Sequence, residues 1–292
     1  MFIHFHTLSL IWYECGLMIK RVTITIKPDV LKRIDKMKNR NGIRNRSHAV
    51  EHLILKSLGK TDLNTAMILA GGAGTSLRPI TYEIPKPLIP IHGRPILEHQ
   101  IAMLKNNNID NILLSVGYMR ERIKEYFGNG SKFGVDITYI EEDKPIGTGG
   151  PLTLAKDYIK DSFVLMNVDT LMNPDIEEIY EFHKNEGRLV TILLATTDNP
   201  CGFGVVRLRG KQVTEFVEKP QKARSNIINA GFYIVEPDVL KIIPKGRFMI
   251  EHFFNKLAKR GQISGFMHDG VVFDVGTHDG YARAIKEWKP SH

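Results

Sequence analysis

An apolar stretch, Ala66-Met-Ile-Leu-Ala70, runs directly into Gly71-Gly-Ala-Gly-Thr-Ser-Leu-Arg-Pro79. A strand feeding a glycine-rich turn is a cradle for phosphate or nucleotide, because glycines let backbone N–H groups come close to anionic oxygens. It is not a Walker A loop, since no Gly-Lys-Ser/Thr follows, and Leu77 stands where the dinucleotide fingerprint needs its third glycine. A purely structural turn would need fewer glycines. Beyond it comes Ile84-Pro-Lys-Pro-Leu-Ile-Pro90, in which Lys86 is held between two prolines. Proline fixes its own φ, so the lysine projects from a stiff arm.

These residues need a rigid frame. Apolar strand patterns recur near 66–70, 112–116, 137–140, 163–168 and 190–195, with amphipathic helical stretches between them and further short strands near 204–217 and 227–235. Such alternation predicts an α/β fold, a doubly wound and mostly parallel sheet with helices on both faces. The glycine loop, the loop Pro145-Ile-Gly-Thr-Gly-Gly150 and Asp169 all follow strand C-terminal ends, where open α/β sheets bind ligands.

The run from Leu69 to Leu97 resembles the signature of the sugar-1-phosphate nucleotidyltransferases, Leu-Ala-Gly-Gly-x-Gly-Thr-Arg-Leu-Arg-Pro followed by Pro-Lys-Pro. Val116-Gly-Tyr118, Pro145–Gly150, Asn167-Val-Asp169, Phe203-Gly-Val-Val206, Val217-Glu-Lys-Pro220, Asn229-Ala-Gly231 and Phe273-Asp-Val-Gly-Thr277 follow in that family's order, and the resemblance covers 64–289. It implies attack of a sugar 1-phosphate oxygen on the α-phosphorus of a nucleoside triphosphate, with release of pyrophosphate. Positioning and charge neutralisation do most of such work.

Carried over residue by residue, the resemblance makes Asp169 and Asp274 the carboxylates that hold Mg2+, Lys86 the triphosphate contact and Lys219 the sugar-phosphate contact, with Arg78 also retained. Leu69, Gly71, Gly72, Gly74, Thr75 and Gly147 fall on the nucleotide side, and Glu218, Asn229 and Gly231 on the sugar side. Taken singly, an aspartate could equally cap a helix and an exposed lysine could simply be solvated. Val116-Gly-Tyr118 and Glu141-Glu-Asp-Lys-Pro145 resemble the mannose- or heptose-1-phosphate guanylyltransferases more than the thymidylyl branch. No hexapeptide repeat follows, so the resemblance is to the short type.

One departure bears on rate. Ser76 stands where the family has the arginine that meets the triphosphate, and loss of one preorganised donor of this kind commonly costs about 3 to 4 kcal/mol of barrier. Val168 replaces the usual glycine of Asn-Gly-Asp, a milder change. The enzyme reading therefore competes with that of a catalytically weakened sensor of nucleotide sugars.

Composition bounds the rest. With 42% hydrophobic and 25% charged residues over 292, the chain reads as a folded soluble protein rather than a disordered one, and no stretch approaches the roughly 20 apolar residues of a membrane span. Cys15 and Cys201 are too few for a disulfide framework or zinc site, which suits the cytoplasm. The net charge of +8 is uneven, since 18–60 holds twelve Lys and Arg against three Asp and Glu while the remainder is nearly neutral. That asymmetry predicts a small basic module of its own.

Residues 1–17 lack a basic n-region and a cleavage site, so they read as a non-native or disordered leader rather than a signal peptide. From Arg21 to Lys27 the chain alternates strictly, with Val22, Ile24 and Ile26 on one face and Arg21, Thr23 and Thr25 on the other. A helix opens at Pro28-Asp29 and buries Leu31 and Ile34; a second, capped by Ser47, carries the stripe Val50, Leu53, Ile54 and Leu58. Strand, helix, helix over 19–58 resembles the ribbon-helix-helix DNA-binding proteins. The resemblance implies that two copies pair their strands into a ribbon entering the major groove of double-stranded DNA, with Arg21, Thr23 and Thr25 facing bases and Arg46 and Ser47 at a phosphate. The same pairing could serve only to build a homodimer.

Overall fold

The computed structural model describes residues 6–9, 23–35, 46–57 and 63–290. The chain forms two compact units, Met1–Thr61 and Asp62–His292.

In the first unit β1 (His6–Ser9) lies antiparallel to β2 (Thr23–Ile26), and α1 (Pro28–Asp35) and α2 (Arg46–Ser57) follow. Period-two alternation turns Thr23 and Thr25 outward and lets Ile24 and Ile26 pack on Ile34, Ala49 and Val50. Four differences from the sequence reading appear here. The leader contributes a strand, which its apolar residues did not announce. The second helix starts at Arg46, so Ser47 sits inside its first turn instead of capping it. Leu53 and Ile54, read as part of the buried stripe, are exposed, at 38% and 45%. Arg46, expected at a phosphate, is exposed and forms a bidentate pair with Asp35, Nε to Oδ1 and Nη2 to Oδ2 both at 2.6 Å. Arg21 and Leu58 lie outside the described residues.

The second unit starts with β3 (Thr65–Leu69), the short helix α3 (Ile80–Glu83), the two-residue strands β4 (Pro90–Ile91) and β5 (Arg94–Pro95), and α4 (Ile96–Asn106). Next come β6 (Asn111–Val116), α5 (Arg120–Phe127), β7 (Asp136–Glu141), α6 (Gly150–Ala155), β8 (Phe163–Asn167), β9 (Thr170–Leu171) and α7 (Ile176–Glu186). The remainder is β10 (Val190–Thr196), β11 (Gly204–Arg209), β12 (Gln212–Glu218), β13 (Ile227–Val235), α8 (Val239–Ile242), α9 (Ile250–Lys259), β14 (Ile263–Met267), β15 (Phe273–Asp274) and α10 (His278–Glu287).

Nine strands form one sheet in the order β10-β14-β12-β11-β13-β8-β3-β6-β7. The block β7-β6-β3-β8 is parallel, as the alternation of strands and helices requires. Beyond β8 the sheet changes character: β13 runs antiparallel to β8, and β10, expected in the parallel run, pairs antiparallel with β13 and parallel with β14. The reason is local, because β11 and β12 form a hairpin with no crossover helix between them, and only a crossover keeps neighbours parallel.

Alternation then sorts the core onto two faces. Ala66 and Ile68 of β3 and Ala70 just after it, with Val164 and Met166 of β8, meet α4, α5 and α7 through Leu97, Ile101, Ile123 and Ile179. Met67 and Leu165 point the other way, toward Leu152, Val239, Phe253, Phe254 and Leu257 of α6, α8 and α9. A third cluster ties α10 down through Ala284 and Trp288 against Leu77, Ile89, Leu171, Phe273 and Val275. The doubly wound α/β expectation therefore holds, and its crevice lies where β3, β6, β7 and β8 end.

Candidate active site

Two cavities meet at that crevice. The larger, about 280 Å³, is lined by Leu69, Gly71 and Gly72 after β3, Ser115 on β6, Glu142 after β7 and Asn167, Val168 and Asp169 after β8, with Pro145, Gly147, Thr148, Pro151 and Met249 completing it. The smaller, about 120 Å³, is lined by Gly202–Gly204, Glu218, Lys219, Ile228–Gly231, Glu251, Val272 and Asp274. Asn167 and Asp169 border both.

Lys86 donates from Nζ to Asp169 Oδ2 at 2.8 Å. Asp169 follows β8, whereas Asp274 arrives on β15, which pairs with β9 so that Asp274 lies opposite Thr170. Val275 N donates to Asp169 O at 2.8 Å, locking the two segments together. Gly276 shows where the carboxylates converge: a Cβ there would stand 2.9 Å from Asp169 Oδ2 and 3.0 Å from Asp274 Oδ1. Burial raises the Asp274 carboxyl, Asp169 raises it further, and the Gly276 N–H, at 2.9 Å from Oδ1, opposes the rise. Two convergent carboxylates with all-oxygen donors beside a phosphate-sized cavity fit a hard divalent cation that takes its other ligands from substrate phosphate and water. Lys86 supplies the positive charge beside Asp169 in this structure.

In the larger cavity Glu142 accepts from Ser115 Oγ at 2.6 Å and packs under Gly71, where a side chain would collide with its Oε1. Gly147 has φ +80° and its missing Cβ would strike the Phe248 carbonyl, so only glycine lets this loop lie against the start of α9. The same contact is pinned by Thr148, whose Oγ1 donates to Glu251 at 2.7 Å and accepts from Ile250 N at 3.0 Å. In the smaller cavity burial pushes the Glu218 carboxyl up to about 7, with Glu251 adding to the rise and Lys219 opposing it. Lys219 itself is held at φ +43°, an uncommon backbone for a lysine that is found where surroundings over-determine it. Asn229 accepts from Gly231 N at 3.0 Å and donates to Tyr233 Oη at 2.6 Å.

Most of the expected site residues gather here: Leu69, Gly71, Gly72, Lys86, Gly147 and Asp169 at the larger cavity, and Glu218, Lys219, Asn229, Gly231 and Asp274 at the smaller. Gly74, Thr75 and Arg78 line neither. The chain turns away after Gly72, so Gly74 accepts from Thr81 Oγ1 at 2.8 Å, Thr75 opens a 3-10 turn, and the Arg78 guanidinium stacks 4.8 Å over Tyr82. Ser76 is exposed in that turn, leaving Lys86 the one cation among the described residues lining the larger cavity. Sequence reasoning passed over Glu251 and Thr148. Glu251 is 7% exposed, and a glutamate in the first turn of a helix reads as an ordinary response to the helix dipole until the fold turns it inward.

Residues 65–290 match the family model of the nucleotidyl transferases, and the chain belongs to that family. Residues 20–61 match the model of the ribbon-helix-helix proteins of the copG family. Among curated proteins, the chain is 37% identical over 218 residues to the mannose-1-phosphate guanylyltransferase catalytic subunit beta of Xenopus tropicalis, covering 72% of this chain and 61% of that protein. It is 38% identical over 221 residues to the mannose-1-phosphate guanyltransferase of Saccharomyces cerevisiae, covering 72% and 60%. The chain thus spans about three fifths of the length of these relatives. Of solved structures, HddC from Yersinia pseudotuberculosis, determined also in complex with GMP-PN, superposes with a TM-score of 0.68 at 28% identity, covering 78% of this chain and all of that one. No helix among the described residues is long and apolar enough to cross a membrane.

Proposed function

We propose that the second unit joins a sugar 1-phosphate to a nucleoside triphosphate, GTP in preference, giving an NDP-sugar and pyrophosphate. The observation that carries this reading is the convergence of Lys86, Asp169 and Asp274 where the two cavities meet. A nucleotide in the larger cavity and a sugar phosphate in the smaller would bring the attacking oxygen and the α-phosphorus together beside Asp169. The new bond forms from the sugar phosphate oxygen to that phosphorus, and the bond to the bridging oxygen of the leaving pyrophosphate breaks. Lys86 and Lys219 would hold the phosphates from opposite sides, while Mg2+ on Asp169 and Asp274 would neutralise the developing charge.

Glu142 supports the choice of base. A carboxylate only accepts hydrogen bonds, and guanine presents two adjacent donors, N1–H and the 2-amino group, where thymine and uracil present alternating groups. The Glu218 and Glu251 carboxyls suit the hydroxyls of a sugar. For the first unit we infer a basic ribbon that pairs with a second copy and contacts duplex DNA through Thr23 and Thr25, which are exposed.

Pyrophosphate release with Mg2+, GTP and a panel of sugar 1-phosphates tests the reading, together with Asp169→Asn and Glu142→Gln. Turnover that falls at least a hundredfold in Asp169→Asn, and a preference for GTP that Glu142→Gln erodes, are the expected outcomes. Turnover undiminished in Asp169→Asn would sink the assignment. One observation favours a second reading, a weakened sensor that reports nucleotide-sugar binding to the DNA-binding unit: Ser76 supplies no charge to the triphosphate. That reading takes the lead if the protein binds GTP and releases no pyrophosphate.

A further inference from the structure

The buried face of α4 is apolar at Ile96, Leu97, Ile101, Met103 and Leu104, and into it the sequence inserts an amide, Gln100, 1% exposed. Its Nε2 donates to Asn167 O and to Thr170 O, each at 2.8 Å. The two N–H groups of one side chain therefore bracket the four-residue turn that carries Asp169. Its other end is unsatisfied: Oε1 is fully buried with no hydrogen-bond partner among the described residues. A leucine or methionine of similar volume would remove that orphaned acceptor and, with it, the donors to the Asn167 and Thr170 carbonyls. Filling space alone thus does not account for glutamine here. What glutamine alone among these side chains supplies is the pair of donors.

The turn it clamps sets both carboxylates. Thr170, whose carbonyl Gln100 holds, faces Asp274 across the β9–β15 pair, and Asp169 O accepts from Val275 N in the same ladder. A shift of this turn would separate Asp169 Oδ2 from Asp274 Oδ1, which now converge on the space beside Gly276.

We propose that Gln100 is a positioning residue for the cation-binding carboxylates: by gripping the carbonyls on either side of Asp169 it fixes the spacing of Asp169 and Asp274. It touches neither substrate nor cation and acts through the turn. The inference rests on the reading of Asp169 and Asp274 as a divalent-cation site.

The test is the factor by which Mn2+ tightens GTP binding, measured by calorimetry on the full-length protein without sugar phosphate, so that no turnover occurs. Wild type is compared with Gln100→Leu, Gln100→Met and Asp169→Asn. Loss of an outer partner of a metal ligand typically weakens metal affinity 10- to 100-fold, so either Gln100 variant should lower the Mn2+ factor by about tenfold while metal-free GTP binding stays within about twofold of wild type. Methionine keeps the length and flexibility of the side chain, which guards against a leucine variant that does not fold. An unchanged Mn2+ factor in a folded variant overturns the proposal and leaves the cation site standing, provided Asp169→Asn abolishes the factor. A fall in metal-free GTP affinity by the same tenfold also overturns it, since that reports collapse of the cavity. If Asp169→Asn leaves the factor intact, the cation-site reading fails and this inference with it.

Discussion

Lys86 and Asp169 illustrate how a site residue is legible. Lys86 stands out because two prolines stiffen its arm, and the structure delivers that arm to Asp169 at 2.8 Å, across 83 positions of sequence. Glu251 carries no comparable local mark. Its role emerges only because Thr148, more than a hundred positions earlier, bonds it at 2.7 Å and turns it into the smaller cavity. Ser76 is the reverse case, a departure visible in the motif whose consequence depends on geometry. Exposed in the turn that follows the glycines, it leaves the larger cavity with Lys86 as its only lining cation among the described residues. Ser76→Arg is therefore expected to raise the rate of pyrophosphate release by on the order of a hundredfold, the usual worth of one preorganised charge in such a site. Steady-state kcat of the two proteins decides it, and an unchanged kcat would mean that the turn aims residue 76 away from the triphosphate.

Strand patterning is the feature most easily read along the chain, because period-two alternation is local and the parallel block β7-β6-β3-β8 follows it. The antiparallel half was harder, since pairing between β10 and β13 joins residues far apart in sequence and no local pattern announces a partner. Polar contacts between elements were harder still. His183 on α7, 1% exposed, bonds Thr191 Oγ1 at 2.8 Å and Glu236 Oε1 at 3.1 Å, and Lys184 Nζ meets the same Glu236 oxygen at 2.8 Å. Burial would raise the Glu236 carboxyl, yet the hydrogen bonds from His183 and Lys184 and the lysine charge outweigh it and hold the group down at about 2, against an ordinary 4.5. A depressed carboxyl contributes stability that is present above the unfolded value and lost as pH falls toward the folded one. Glu236→Gln should therefore lower stability at pH 7 by no more than about 3 kcal/mol, and the gap should close as pH drops from about 4.5 to about 2. Urea denaturation across that pH range checks it; a gap independent of pH would assign the effect to packing instead.

The two units differ most in charge, and the basic one holds the exposed Thr23 and Thr25 face. Removing residues 1–60 is expected to leave a folded second unit, with thermal unfolding and pyrophosphate release retained, and to abolish retention of duplex DNA in a mobility-shift assay at low salt. DNA retention by the truncated protein would refute the ribbon assignment. Because β1 already occupies one edge of β2, a chain starting at Met18 should also pair with a second copy more readily than the full-length protein, which light scattering on these two would show as a larger dimer fraction. By itself the sequence determined the class of the second unit, the glycine-rich turn and the stiff lysine arm, because these are properties of residue type and short spacing, whereas the pair of aspartates it offered only through resemblance to a family. It determined the division of charge for the same reason. The fold alone decided that Asp169 and Asp274 converge, that Gln100 grips the turn that carries Asp169 and that Glu251 faces the smaller cavity. Each of these depends on a contact between residues distant along the chain, and such contacts exist only once the sheet and its helices have closed around them.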